Sequence, residues 1–292
     1  MKWDAGCVIV SHSRALWDKV LCEPVQIHCR LDQITGKWEQ YGRAKEQHSQ
    51  QYAAAKFKFH KDSALKIVDR CWNAASFVET VSATLDYDFP PIVVFPHLPF
   101  DDHDAVGFQF PIKKLPTNAL PFAFARVIAN RLGGTLDNRI VQSARVGRTA
   151  LGRWLRLLCQ PSFSGEISTS HPYVLVDDVF TTGGTLAALR SHIVEHGGSV
   201  IATAALAQKD GVSYRLAIAD ATRTMLNSLY GESFEPYWRR TTGHDANCLT
   251  EAEGQFLVRW ARDEQVQKGI LPGNDLFLHL RDRINKAAAR GG

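Results

Sequence analysis

The stretch Tyr173-Val174-Leu175-Val176-Asp177-Asp178-Val179-Phe180-Thr181-Thr182-Gly183-Gly184-Thr185, running on into Leu186-Ala187-Ala188-Leu189, decides the fold. The apolar run Val174 to Val176 has the continuous hydrophobicity of a strand buried on both faces, as in the middle of a parallel sheet. Two adjacent carboxylates follow, then a short loop of threonines and glycines, then a helical pattern. A helix that starts there offers free backbone N–H groups and the positive end of its dipole, both suited to a phosphate. Gly183 and Gly184 allow left-handed angles and close approach, while Thr181, Thr182 and Thr185 add hydroxyl donors. Asp177 and Asp178 cannot favour a phosphate; they suit the vicinal hydroxyls of a sugar and a divalent metal. The whole segment reads as a cradle for a sugar phosphate.

A strand ending in two acids also resembles a Walker B segment. That reading requires a Gly-x-x-x-x-Gly-Lys-Ser/Thr loop elsewhere, and the nearest fragment, Gly36-Lys37, runs into Trp38. A plain strand–turn–helix junction with Asp as a cap is the other alternative, and it leaves the packing of acids, threonines and a double glycine unexplained.

Outward from this segment the chain alternates strand and helix patterns. Strands are expected at Ile92-Val93-Val94-Phe95 and Val200-Ile201-Ala202-Thr203-Ala204, with helices over about residues 121–132 and 185–196. Gly133-Gly134 and Gly197-Gly198 close those helices. The expected fold class is α/β, an open and mostly parallel sheet flanked by helices, with helical N- and C-terminal extensions. Residues 1–85 form the N-terminal extension, 86–208 the core and 209–292 the C-terminal extension. In the first of these, Cys7-Val8-Ile9-Val10 is strand-like and residues 39–51 read as a polar connection. Apolar residues then recur at helical spacing from 51 to 85, with Asp62-Ser63 as a cap for the second of two helices. In the last, Thr250-Glu251-Ala252-Glu253 is a capping box.

Composition is that of a globular protein, 45% hydrophobic and 22% charged over 292 residues. The net charge of +4 does not call for nucleic acid. The first six residues lack the apolar core of a signal peptide and no run approaches membrane-spanning length, so a cytoplasmic location and no membrane partner are expected. Six cysteines, Cys7, Cys22, Cys29, Cys71, Cys159 and Cys248, show no Cys-x-x-Cys pair and are expected as free thiols.

In open α/β sheets ligands sit at the carboxyl ends of the strands. The loop after Phe95, Pro96-His97-Leu98-Pro99-Phe100-Asp101-Asp102-His103, should lie at that end too. Its acids, with Asp104, suit either a metal or plain solvation. Between residues 139 and 156 stand Arg139, Arg145, Arg148, Arg153 and Arg156, with no acid from Ile140 to Gly165. Arg148, Leu151, Leu155 and Leu158 share one helical face. This is either a solvated basic helix face or a basic hood that closes over a polyanion.

The segment 173–185 resembles the ribose-phosphate signature of the type I phosphoribosyltransferases. Asn118, Gln142, Phe163-x-Gly165 and the arginines are loosely similar to the competence protein F branch. The resemblance covers residues 86–208. It implies a glycosyltransferase of nucleotide metabolism that binds phosphoribosyl pyrophosphate with Mg²⁺ and transfers the phosphoribosyl group to a nitrogenous base or similar acceptor. Asp177 and Asp178 would be the catalytic acids and would hold the metal, directly or through water. Thr181, Thr182, Gly183, Gly184 and Thr185 would bind the 5′-phosphate, and His97, Arg145 and Arg148 would belong to the pyrophosphate loop and hood. The loop after Phe95 departs from the family pattern, carrying His97 and prolines, with bases only at Lys113 and Lys114. Phe180, Trp154 and Tyr173 could stack on a ring or belong to the core. The acceptor, whether base or protein partner, is not readable, and a homodimer is compatible with the pattern. The alternative is a non-catalytic phosphoribosyl-pyrophosphate- or nucleotide-binding module, of the kind serving regulators, DNA-uptake accessories or bacterial defence subunits.

Overall fold

The computed structural model describes residues 14–17, 25–37, 43–72, 75–83, 85, 89–99, 118–143, 152–208 and 215–291. The expected strand at 7–10, the acidic loop at 101–104, Lys113, Lys114, Arg145 and Arg148 lie outside them.

The first elements among the described residues are strand β1 (Gln26–Arg30) and helices α1 (Leu31–Thr35), α2 (Arg43–Phe57), α3 (Lys61–Cys71) and α4 (Ala75–Ser82). Strand β2 (Ile92–Val94), α5 (Leu120–Leu132), β3 (Thr135–Leu136), β4 (Val141–Gln142), α6 (Arg153–Leu158) and β5 (Phe163–Ser164) follow. The signature segment forms β6 (Pro172–Phe180) and α7 (Gly184–Glu195), and β7 (Ser199–Gln208) completes the strands. Beyond it the described residues form helices α8 (Asp220–Tyr230), α9 (Phe234–Thr242), α10 (Glu251–Lys268) and α11 (Asn274–Gly291), with a 3₁₀ turn at Ala246–Cys248.

The protein is α/β. Its five-stranded sheet runs in the order β1-β7-β6-β2-β3 with every pairing parallel, and β4 and β5 form a separate antiparallel pair. Strand β6 is central and covered on both faces, as its apolar run requires. Val174 and Val176 pack with Val93, Phe124 and Ile128 on the side of α1–α5, while Tyr173 and Leu175 pack with Leu186, Leu189 and Ile193 of α7. This alternation is the period-two consequence of the pleat. Gly133 takes the left-handed C-cap of α5, and its N–H donates to the Ala129 carbonyl.

The N-terminal segment departs from expectation in four respects. Residues 26–30 are a parallel strand, β1, at the sheet edge beside β7; an edge strand is half-buried and tolerates Gln, His and Arg, so its pattern is not hydrophobic. The polar connection expected over 39–51 is helical from Arg43, since Lys, Glu, Gln and Ala are good helix formers whatever their polarity. The cap of α3 is His60, whose Nδ1 accepts from Ser63 N at 3.2 Å, and not Asp62-Ser63. Where two helices were expected over 51–85, the described residues show α3 and α4 and the C-terminal part of α2.

The C-terminal helices form their own apolar cluster around Trp238, Tyr230, Leu257 and Leu280, which takes in α6 through Trp154, Leu157 and Leu158. Buried polar contacts tie them back to the rest. Arg14 meets Glu253 in a bidentate ion pair of 2.7 and 3.0 Å, with the two side chains 1% and 2% exposed. The capping box of α10 forms as expected: Glu253 N donates to Thr250 Oγ1 at 3.1 Å, and Thr250 N donates to Glu253 at 3.0 Å. Cys29, Cys71 and Cys248 are free thiols, but Cys159 is disulfide-bonded, against the expectation for all six. No helix among the described residues is long and apolar enough to cross a membrane.

Candidate functional site

The carboxyl ends of β6 and β2 open on a cleft of about 420 Å³. It is lined by the whole run Asp177 to Leu186, by Pro96 and Leu98 after β2, by Asn118 and Pro121 at the start of α5, and by Gln142, Arg156, Leu31, Tyr52 and Lys56. The loop and acids predicted from the signature therefore face one space. Gly183 is the N-cap of α7, with φ +73°, and no side chain caps the helix there. Glycine supplies no side-chain cap to the first N–H groups of α7, and the positive end of a 12-residue helix points at the cleft. Only glycine fits at 183: besides the left-handed angle, a Cβ would come within 2.7 Å of Leu216 Cδ1 and 3.0 Å of the Phe180 ring.

The loop is braced from the C-terminal helices. Thr250, while capping α10, donates its hydroxyl to the Thr182 carbonyl. Leu216, which contacts Gly183, accepts the Glu251 N–H through its carbonyl at 3.1 Å. The capping box was legible in the sequence; its reach to the phosphate loop was not.

Asp178 Oδ2 accepts from Lys56 Nζ of α2 and from Asn118 Nδ2 at 2.8 Å. Asn118 in turn accepts Leu120 N at 3.2 Å through its own carbonyl oxygen, so the amide is fixed at both ends. Asp177 Oδ1 accepts Asp178 N at 2.8 Å. Burial would raise the Asp178 pKa, but the Lys56 ammonium wins and holds it below the usual carboxylate range. Desolvation, reinforced by the Asp178 charge, pushes the half-buried Asp177 above that range. Burial would lower Lys56, yet Asp178 holds it above its ordinary value. The cleft floor thus carries a carboxylate paired with an ammonium, beside a second carboxyl group.

Lys56 and Tyr52 escaped the sequence reading. They stand four residues apart on α2 and so share a helix face, a spacing too common to mark a site. Of the other expected residues, His97 is buried and stacks on Phe95 with centroids 4.5 Å apart; it is not among the residues lining the cleft. Arg139 pairs with Asp137 at 2.8 Å, while Arg156 does line the cleft. Trp154 belongs to the C-terminal cluster, edge-on to Phe256 and Trp260, and Tyr173 accepts Ser168 N at 2.7 Å within the core. Phe180 is 1% exposed and borders the cleft beneath Gly183. The aromatic ring most open to a ligand among these residues is Tyr52.

Part of the donor set that a divalent metal would use is already engaged by the protein, which leaves Asp178 Oδ1, Asp177 Oδ2 and water-mediated contacts. Mg²⁺ requires near-ideal octahedral oxygen ligands and gives up water reluctantly. Here Asp178 Oδ2 already serves an ammonium and an amide, and Asp177 Oδ1 serves a backbone N–H. Among the described residues no three His, Cys, Asp or Glu side chains gather as a metal set.

No family model matches the chain. It is similar to Protein TraN of Escherichia coli, with 32% identity over 157 residues, 54% of this chain and 35% of TraN. It is also similar to an uncharacterized protein of Haemophilus influenzae, with 37% identity over 78 residues, 27% of this chain and 17% of that protein. The matched region thus spans about a third or less of these relatives, and neither name speaks of a phosphoribosyl ligand.

Proposed function

We propose that this protein has a type I phosphoribosyltransferase-like core that binds phosphoribosyl pyrophosphate and transfers the phosphoribosyl group to a nitrogenous or similar acceptor. One observation carries the reading: the glycine-capped N-terminus of α7 and the acid pair Asp177–Asp178 open on the same cleft. The 5′-phosphate sits on the backbone N–H groups of Thr181 to Thr185, where helix dipole and threonine hydroxyls favour it. The acids take the ribose hydroxyls. As the bond from the anomeric carbon to the diphosphate oxygen breaks, the electron pair leaves with the diphosphate and positive charge develops on the sugar. The carboxylate of Asp178 offsets that charge. An acceptor nitrogen, positioned against Tyr52, Leu31 and Leu98, then forms the new bond to the anomeric carbon and loses its proton to solvent or to the departing diphosphate. Such catalysis is mostly orientation and electrostatic preorganisation. The location consistent with this substrate is the cytoplasm.

A second reading, a non-catalytic binder of the same ligand, is favoured by the cleft's diphosphate side. Pro96 and Leu98 bring no basic group there, and Arg156 is the arginine among the described residues that lines the cleft.

Calorimetry with phosphoribosyl pyrophosphate tests the shared step. Asp177→Asn combined with Asp178→Asn should weaken binding roughly ten- to a hundred-fold, the worth of a charge-assisted contact to a hydroxyl. Equal binding by variant and parent removes the acids from the site. Turnover assayed with candidate bases separates the two readings.

A further inference from the structure

We infer that Lys56 takes the place of a divalent cation in this cleft, so that the phosphorylated sugar diphosphate binds without magnesium. The inference rests on the reading of the cleft given above and goes beyond it, since the family resemblance behind that reading implies a metal. Three observations carry it. First, the ammonium is aimed at the acid pair: Lys56 Nζ and Asn118 Nδ2 donate to the same oxygen, Asp178 Oδ2. A metal on that oxygen would have to displace one of them.

Second, the arrangement is built in advance. Ala55, the neighbour of Lys56, is fully buried and its carbonyl accepts Ala119 N at 2.8 Å. One backbone bond therefore joins the residue before Lys56 to the residue after Asn118, and fixes the two donors relative to each other. Third, the charge is shielded yet reachable. The Lys56 side chain is 19% exposed and Asp178 9%, while both line the cleft. A shielded cation at the cleft wall, with three N–H donors of which Asp178 takes one, can offset the charge of an incoming diphosphate as an ion would. Bringing Mg²⁺ to the same carboxylate would set two cations side by side in a poorly screened space.

The test is calorimetry of phosphoribosyl pyrophosphate with the full chain, in EDTA and in excess Mg²⁺, for the parent and for Lys56→Met. The parent should bind with the same dissociation constant in both buffers. Lys56→Met should lose roughly ten- to a hundred-fold in EDTA, and Mg²⁺ should restore much of the loss because the freed acids can then hold it. Binding of the parent in Mg²⁺ alone overturns the inference and leaves the cleft reading standing. Absence of binding in either buffer overturns both. A Lys56→Met variant that binds normally in EDTA makes the lysine merely structural. Because this variant leaves Asp178 buried without its cation, a melting curve accompanies it, and the parent is also titrated with Mn²⁺ alone by electron paramagnetic resonance. The Mn²⁺ should remain free; a bound ion lost on Asp178→Asn overturns the inference without any variant of Lys56.

Discussion

Replacing Glu253 with alanine should lower the free energy of unfolding by about 3–5 kcal/mol, because it strands the Arg14 guanidinium in a site from which water is excluded. Arg14 and Glu253 are 1% and 2% exposed, and the carboxylate also accepts from Gln160 Nε2 and Thr250 N. Denaturant melts read the effect; each kcal/mol also moves the midpoint temperature by roughly 2–4 °C in a chain of this order of size. A loss below about 1 kcal/mol, the range of exposed pairs, would mean the pair is solvated. The same contact gives the parent an acid sensitivity. Burial would raise Glu253, but Arg14 holds its folded-state pKa below the ordinary value. Its contribution is therefore complete above the unfolded pKa of about 4.3 and is lost as pH falls through the lower folded value. Glu253→Gln should flatten that part of the stability profile. Ligand affinity should fall with Glu253→Ala as well, since Thr250 braces Thr182 from within this capping box.

The second large effect is expected at Gly183. Alanine there must hold a left-handed conformation, about 1–2 kcal/mol, and force its methyl against Leu216 and Phe180, contacts of 2.7 and 3.0 Å. Overpacking of that kind costs about 1–3 kcal/mol more. The summed loss of about 2–5 kcal/mol should come with displacement of the phosphate loop, and so with weakened binding of ribose 5-phosphate. A variant as stable as the parent would show that the loop relaxes freely and that glycine is not required. Gly133→Ala is the control: it shares the positive φ, but its Cβ meets nothing within 4 Å, so only the backbone cost should appear.

These two positions mark what local pattern reveals and what it hides. The buried strand β6, the loop at Gly183 and the start of α7 were legible because burial on both faces, left-handed turns and helix dipoles each impose local residue choices. The capping box at Thr250 was legible for the same reason. Strand β1 was not, because an edge strand needs no apolar alternation. Lys56 was not, because its meaning comes from Asp178, 122 residues away, and α2 reads as an ordinary polar helix. The bracing of Thr182 by Thr250 spans 68 residues and leaves no mark on either segment. His97 drew attention by type, yet its ring is used for packing on Phe95. Tertiary pairing, not propensity, decided these cases.

The central claim, that the cleft at the end of β6 holds a sugar phosphate on the N-terminus of α7, has one direct measurement. Amide resonances of the isotopically labelled protein are followed as ribose 5-phosphate is added, with inorganic sulfate as the comparison. The account predicts saturable shifts concentrated at Thr181 to Leu186 and at Asp177 and Asp178, with sulfate moving the loop amides but not the acids. Shifts that miss the loop, or no shift at all, would contradict it.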